Sequence, residues 1–478
     1  MTARHVVVIG GGLAGIAAAI GLREAEFDVT LLEARPRLGG AASSFTRAAL
    51  TIDNGQHVFL RCCTSYQDLV AKLGATSLVS IQERFDITVL SPRGRSRLRR
   101  TGLPGPLHMG RALAGYRLLP LADRAKVARA ALALRSVNPA DPAADAAALG
   151  PWLAAKGQGE RARRLLWDLF VVSAMNIGGD DANLSLAATV IQTALLGDRD
   201  AADIGIATVP LGDLHGRATA DLLGRLGAQV RLGARAAGID PVPAGGMRIA
   251  LTYDRSGADQ GGGDASSLLA DGVVLAVPPG QAARLAGQAG VAAAGRWDGL
   301  GASPIVNVHV VYDRPVTDLP FAAAVESPVQ WVFDKTMPSG LAAGQYLAVS
   351  LSAADGHIDA PAAALREQFL PALGQLFPAA ASAAVTDFFV TRERRATFRQ
   401  APGAGALRPA TVTSVPGLLL AGAWTDTGWP DTMEGAVRSG QRAAEEMTRW
   451  LSGRPGIPRA DDGANPRPAA AARTGAGS

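Results

Sequence analysis

The stretch that most constrains this chain is Val6 to Gly40, VVVIGGGLAGIAAAIGLREAEFDVTLLEARPRLGG. A short β-branched run, Val6 to Ile9, meets Gly10, Gly12 and Gly15 on a G-x-G-x-x-G spacing, and an Ala-rich stretch opening with Leu13 and Ala14 follows. The pattern predicts strand, glycine turn, helix, strand. The first glycine allows the tight turn, the second lets a pyrophosphate approach the backbone, and the third lets helix pack on strand. The helix start then offers unpaired N–H groups and the positive end of its dipole. A second strand, Asp28 to Leu32, ends at Glu33, eighteen residues past Gly15, where such a unit places an acid for a ribose hydroxyl. The unit is expected to bind a dinucleotide. A signal peptide is the competing reading, but three central glycines interrupt the apolar run and no small-residue cleavage site follows before Glu33. The stretch is also too glycine-rich to span a bilayer.

At 478 residues the chain exceeds a single core and is expected to divide into two domains or one large domain with insertions. Lysine occurs only at 72, 126, 156 and 335, so almost all positive charge is arginine. Cys62 and Cys63 are the only cysteines, too few for a disulfide framework or a thiolate metal cluster, which suits a reducing cytoplasm. The net charge of +5 is unevenly placed. Arg93 to Arg135 holds eleven Lys and Arg against the single acid Asp123, a local +10, so the rest of the chain sums to −5. Leu103, Leu107, Met109, Leu113, Tyr116, Leu118, Leu119 and Leu121 interleave with those charges. Basic and apolar residues so mixed suit an anionic membrane surface. Nucleic acid is disfavoured, because stacking aromatics and nucleic-acid motifs are missing. An ordinary solvated helix pair with core leucines remains the bland alternative.

Along the chain, Leu50 to Val58 is expected to be extended with a turn at Asn54-Gly55, Ser65 to Leu73 a helix, and Phe85 to Leu90 a strand. Ala122 to about Leu196 has helical periodicity, with breaks near Asn138-Pro139, Gly150-Pro151 and Ile177-Gly178-Gly179. A helix at Gly216 to Leu226 and strands at Gln229–Leu232, Arg248–Tyr253 and Gly272–Val277 predict a meander, with Asp254 to Ser267 as a connector. Strands follow at Pro304–Tyr312, Val329–Phe333, Tyr346–Leu351 and Val385–Val390, with a helix over Ala360 to Leu376. The last apolar strand, Gly417 to Ala421, leads to a helix beginning near Thr432, and beyond Gly453 the composition is that of a disordered tail.

The opening unit with Glu33-Ala34-Arg35 and Gly39-Gly40, joined to Leu420-Ala421-Gly422 and Thr432-Met433-Glu434-Gly435-Ala436, resembles the flavin amine oxidase and phytoene desaturase superfamily. Asp53-Asn54-Gly55-Gln56-His57-Val58, Leu166-Trp167-Asp168, Ala174-Met175-Asn176, Val209-Pro210-Leu211-Gly212, Ser303 to His309, Gln330 to Asp334 and Arg395-Ala396-Thr397-Phe398 look like the hydroxysqualene dehydroxylases within it. This likeness covers about Arg4 to Trp450. It implies an α/β fold: a Rossmann-like FAD-binding domain of glutathione-reductase type with an α+β substrate domain carrying a helical insertion. The implied FAD-binding parts are 1–90, 205–290 with the meander, and 405–452. Residues 91–204 would be the helical, membrane-facing part, 291–404 the substrate sheet and helix, and 453–478 the tail.

Noncovalent FAD is the implied cofactor, held by Gly10, Gly12, Leu13, Ala14, Gly15, Glu33, Ala34, Arg35, Gly39, Gly40, Ala41, Gly55, Gln56, Ala236, Pro278, Gly422, Trp424, Thr432, Met433 and Glu434. The start of the last helix would favour negative charge developing on the reduced ring. Ala423 and Ala41 depart from the pattern, since many relatives carry Asp and Arg there, and each change removes a polar interaction of about 1 kcal/mol. The strand around Val306-Asn307 lacks the lysine that amine oxidases place near the flavin. The implied reaction is loss of the hydroxyl of hydroxysqualene and gain of hydride to give squalene. His57 is the expected acid for the departing oxygen, with Gln56 orienting the hydroxyl. Polar candidates of weaker standing are Asp313-Arg314, Asn176 and His309; His, Cys and carboxylates show no metal-ligand or triad spacing.

An oxidative carotenoid or polyprenoid desaturase is the competing enzyme, and a non-catalytic prenyl-lipid carrier the competing reading of another class. No second G-x-G-x-x-G follows a strand, so an external electron donor is expected beside the hydrophobic triterpenoid substrate. The expected location is cytoplasmic, peripheral at the inner face of the membrane.

Overall fold

The computed structural model describes residues 4–243, 245–253 and 266–452. The strand His5–Ile9, the helix Leu13–Glu24 and the strand Asp28–Glu33 form in the order the sequence predicts. Strand His5–Ile9 pairs in parallel with Asp28–Glu33 on one side and Gly272–Leu275 on the other. Gln229–Leu232 and Leu418–Leu420 complete a five-stranded parallel sheet. Residues from three distant stretches therefore build one layer, and its inner strands read as largely apolar runs because both faces are buried, whereas the edge strand Gln229–Leu232 is partly exposed. The helix Leu13–Glu24 is buried along almost its whole length, and the closing helix Met433–Leu451 packs beside it. A Cβ on Gly440 would lie 2.1 Å from the Ala14 carbonyl oxygen, so only glycine permits that approach.

The meander forms from other strands than expected: Ala234–Pro241, Met247–Tyr253 and Ser267–Ala270 make an antiparallel sheet, whereas Gln229–Leu232 and Gly272–Leu275 join the parallel one; the connector expected between Asp254 and Ser267 falls largely outside the described residues, as does the tail beyond Gly453. A third, seven-stranded sheet has Ser303–Tyr312 second from one edge, between Gln345–Leu351 and the 13-residue edge strand Val385–Thr397. The helix Ala362–Leu376 is buried against this sheet through Leu365, Phe369 and Leu373. The strand Asp86–Ser91, expected with segment 1–90, pairs instead with Phe321–Ala324 at this sheet, and Gly94–Arg99 extends it. The start of the basic segment is thus an edge hairpin, where helix was expected. Ser96 and Leu98 point inward in alternation with outward arginines, a period of two. Gly150 and Pro151, read as a break, lie in the first turn of the helix Leu149–Ala155, a position that tolerates proline. The strands Ser44–Arg47 and Ile204–Ala207 were not foreseen; each is four residues long and too short to show periodicity.

Buried carboxylates join these layers. Asp203 is fully buried and accepts from the Phe85 amide at 2.7 Å, from Arg61 Nε at 3.1 Å, and from Arg100 Nε and Nη2 at 2.6 and 2.8 Å. One acid therefore fixes the strand entering the large sheet, the strand leaving it, and the segment before Ile204–Ala207. Removing it would strand two guanidinium groups, one of them largely buried. Asp203→Ala is expected to lower stability by about 3–5 kcal/mol, read as a shifted denaturation midpoint, whereas the exposed Asp313→Ala should leave the midpoint within experimental scatter.

Candidate active site

Two kinds of glycine occur in the opening turn. A Cβ on Gly10 would lie 2.2 Å from the Ala276 oxygen and one on Gly15 1.8 Å from the Gly10 oxygen, so the protein's own packing demands both. A Cβ on Gly12 would meet only Gly40 Cα, at 3.8 Å. Glycine at 12 is therefore explained by a ligand that approaches the backbone from outside, the role expected for a pyrophosphate. Leu13 and Ala14 follow as the first two residues of the helix, whose opening amides have no intrahelical acceptor. Gly39 donates to the Gly11 carbonyl at 2.9 Å, and Gly40, at φ +59°, lies against Gly12.

Glu33 accepts from the Gly11 amide through one oxygen and from the Arg35 amide through the other, both at 2.7 Å. Each oxygen keeps a second lone pair for a ribose hydroxyl. Gly233 donates to the Arg35 carbonyl, which brings the strand of Ala236 beside this end; Ala34, Arg235 and Tyr253 line a cavity of about 200 Å³ there. Ala236 itself is buried, so its side chain faces the core. Pro278 precedes the helix Pro279–Gln288, and Trp424 Nε1 donates to the Val277 carbonyl at 3.0 Å, tying together the ends of two parallel strands. Gly422 is at φ +146°, and a Cβ there would collide with the Trp424 ring. Thr432 caps the closing helix by accepting from Gly435, and Met433 is the first residue of that helix. From Glu33 to Thr432 these residues supply a carboxylate with free lone pairs, an open glycine turn and two helix starts, a cradle whose chemistry fits a flavin.

Glu434 has a different task. Its buried carboxylate accepts from the Ser65 and Tyr66 amides at 3.2 and 2.8 Å and pairs with Arg438. It holds the first turn of the helix Thr64–Lys72, as an acid should at a helix N-terminus, and so acts on the cradle only by positioning. Ala41 is exposed, and only its carbonyl is engaged, by Asn54. Ala423 offers no polar side chain, and the loop around it is secured through its backbone: buried Arg408 donates to the Ala423 and Thr425 carbonyls.

The turn after Asp53 opens onto a cavity of about 210 Å³. Asp53, Gln56, His57, Thr208 and Lys335 give it polar walls, and Ile206, Phe333 and Met337 are among its apolar ones. Gln56 Nε2 is buried with no protein partner, and so is Oδ1 of Asn307, whose Nδ2 lies 3.5 Å from the Asn54 carbonyl. Buried polar atoms without partners are costly, so two beside one turn mark a place where a polar group is received. His57 Nδ1 lies 3.1 Å from the Gly55 carbonyl, which can only accept, so Nδ1 carries the hydrogen. Burial, opposed by that hydrogen bond and by Asp53, holds the His57 pKa below 6.5. At neutral pH Nε2 is therefore a lone pair. The expectation of His57 as a standing acid is corrected on this ground: its Nε2 offers an acceptor and has no hydrogen to give.

Two buried histidines, His309 and His215, are held by protein partners on both ring nitrogens. His309 is fully buried between Tyr346 and Thr391 and stacks on Phe389 at 4.4 Å; burial takes its pKa down to about 3. His215 accepts from Tyr66 and donates to Ala42, with its pKa down to about 4 by burial. Asn176 ends the helix Asp168–Met175 in a left-handed conformation and bonds Ser303, Thr397 and Ala353. Asp313 and Arg314 form a surface pair. Lys335, whose Nζ lies 2.8 Å from Asp53 Oδ2, was missed by the sequence reading. Its scarcity was the available signal: it directly follows the Trp331 to Asp334 motif in a chain that otherwise uses arginine.

The flavin containing amine oxidoreductase family matches residues 13–448. The hydroxysqualene dehydroxylase of Rhodopseudomonas palustris is 31% identical over 454 residues, covering 92% of this chain and 98% of its own. That of Sinorhizobium fredii is 30% identical over 458 residues, with the same coverages. A zeta-carotene desaturase of a Synechocystis species is 25% identical over 490 residues, covering 93% and 97%. Among solved structures, a putrescine oxidase bound to putrescine aligns with TM-score 0.68 at 19% identity over 93% of this chain and 98% of its own. Cyclohexylamine oxidase from Brevibacterium oxydans aligns with TM-score 0.69 at 20% identity over 94% and 100%; at such identities the likeness speaks for the fold alone. The α/β architecture and the matches along the whole chain agree: this flavin-dependent oxidoreductase belongs to the flavin containing amine oxidoreductase family and groups within it with the hydroxysqualene dehydroxylases.

Proposed function

We propose that the protein uses FAD to convert hydroxysqualene to squalene by reductive dehydroxylation. The observation that carries this reading is the unpartnered Gln56 Nε2 beside His57 in a cavity with apolar walls. A pure hydrocarbon would leave it unmet, whereas an alcohol on a hydrocarbon chain supplies the missing partner. Likeness to two hydroxysqualene dehydroxylases over 92% of the chain supports the same substrate. FAD bound in the cradle supplies hydride when reduced by an external donor. The chain's residues do the rest. Gln56 Nε2 donates to the substrate oxygen, His57 Nε2 accepts its hydrogen, and the apolar walls keep water from the allylic carbon. The desaturase relatives favour a second reading, oxidation of a polyene in the same fold. Anaerobic incubation of the photoreduced protein with hydroxysqualene separates the two: squalene is expected, and recovery of unchanged alcohol overturns the dehydroxylase reading.

The basic segment suits delivery of such a substrate from a membrane. Its apolar residues divide: Tyr116 and Leu119 are core and Met109, Leu113 and Leu118 are half-buried against it, whereas Leu103, Leu107, Leu121 and Leu132 are 52, 62, 75 and 53% exposed. Arg93, Arg97, Arg99 and Arg100 are matched by Glu326, Asp86 and Asp203 from outside the segment, so the usable positive charge is smaller than its sequence implies. No helix among the described residues is long and apolar enough to cross a membrane. We assign the surface to peripheral contact with anionic lipid.

Three outcomes are expected. Glu33→Ala should weaken FAD retention by about 1–3 kcal/mol, measured by absorbance after desalting. Reoxidation of the photoreduced protein by hydroxysqualene should hold steady as pH falls to 6.5 and decline below it, because protonating His57 removes the acceptor; in His57→Ala the rate should be lower by at least about tenfold and the acid decline absent. Sedimentation with liposomes should require anionic lipid and fall as salt rises, since exposed charges are screened beyond about 8 Å at physiological ionic strength.

A further inference from the structure

Lys335 forms a wall of the cavity that His57 also lines. The chain carries 47 Lys and Arg, of which only four are Lys. Lys72 and Lys126 have side chains 44 and 49% exposed, and Lys156 is exposed over Trp152. Lys335 alone is enclosed, with its side chain 14% exposed. Where only charge was needed, this chain would supply arginine. Lysine differs in that its ammonium can give up a proton, which a guanidinium does not do in proteins.

Its setting is built for that. Asp53 is 3% exposed, and its Oδ1 accepts from Ser44 Oγ and the Leu211 amide at 2.7 and 2.9 Å. Oδ2 is thereby aimed at Lys335 Nζ. Asp334, next in the chain, is turned away, holding Thr336 and Gln345. Asp53 is thus the ammonium's partner among the described residues, and the remaining N–H bonds are left for the cavity.

We propose that Lys335 is the general acid of the dehydroxylation, with Asp53 holding its ammonium and His57 Nε2 holding the hydrogen of the substrate hydroxyl; the proposal rests on the reductive reading above. The ammonium gives a proton to the hydroxyl oxygen, the C–O bond breaks, and water leaves. Lys335 is then a neutral amine and the substrate an allylic cation. The cation takes a hydride, the two-electron unit that a reduced flavin supplies, and the amine regains its proton from solvent. The charge balance favours this order. Lys335 and Asp53 together are neutral before proton transfer, and afterwards Asp53 is an uncompensated anion facing the new cation, so the stabilisation develops as the barrier is climbed.

The test uses the flavin-loaded full-length protein with Lys335→Arg and Lys335→Gln, flavin retention showing that each variant folds. Lys335→Arg keeps charge but no transferable proton, so reoxidation by hydroxysqualene should fall about 100-fold or more. Binding to the oxidised enzyme, where no turnover occurs, gives a second readout. Lys335→Arg should still prefer hydroxysqualene to squalene, and Lys335→Gln should lose about tenfold of that preference. Lys335→Arg reacting at the wild-type rate overturns the proposal while leaving the dehydroxylase reading intact. A wild type that leaves hydroxysqualene unchanged overturns both.

Discussion

Everything in this structure depends on how closely two helices from opposite ends of the chain approach. Gly440 lies against the Ala14 carbonyl, and Gly21 faces the Ala444 side chain with room for nothing larger. Dispersion contacts at that range are individually small and collectively large, and a methyl group in the way forfeits many at once. The close approach brings the capped start of Met433–Leu451 over the same sheet face as the glycine turn after His5–Ile9. The cofactor cradle exists because the helices meet, and the intervening segments are free to build the substrate-facing sheet.

Within that frame, carboxylates act as joints between distant stretches. Asp203, Glu434 and Asp53 each accept at least one backbone amide from elsewhere in the sequence and pair with a cation, which for Glu434 is Arg438 one turn along its own helix. Ionised oxygens meeting amides make strong hydrogen bonds, and burial raises the penalty for leaving either partner alone. Two of the joints only hold backbone in place. The third, Asp53, opens onto a cavity, and there the same arrangement gains chemistry because its cation is a lysine.

Much of this was legible in the sequence, for physical reasons. The strand, turn and helix of Val6 to Glu33 announce themselves because each glycine has a steric or ligand-driven cause, and the capped start at Thr432 because a threonine acceptor precedes a helical run. Family likeness of the chain's two ends and of its middle motifs gave the flavin fold and the enzyme class. The four-residue strands Ser44–Arg47 and Ile204–Ala207 escaped notice because they are held by pairing and carry too little pattern of their own. The hairpin at Gly94–Arg99 was hidden by its charge, since arginines on alternate positions look like a solvated face of either structure type. Glu434 looked like a cofactor residue because it lies inside the motif, yet its direction is set by Ser65 and Tyr66, far away in sequence. Lys335 and Asp53 escaped for the same reason: a pair separated by most of the molecule leaves no spacing to read.

The order of the elements also sets a schedule for biosynthesis. The opening helix ends at Glu24 and its partner begins at Met433. At about 5–20 residues per second, a ribosome spends roughly 20–80 s between them. Throughout that interval a helix destined to be buried along almost its whole length waits without its cover, and the fifth strand of its sheet has yet to emerge. Cofactor capture is therefore a late event in the life of the nascent chain, and the emerging polypeptide presents to chaperones the very surface that will later hold the cradle together.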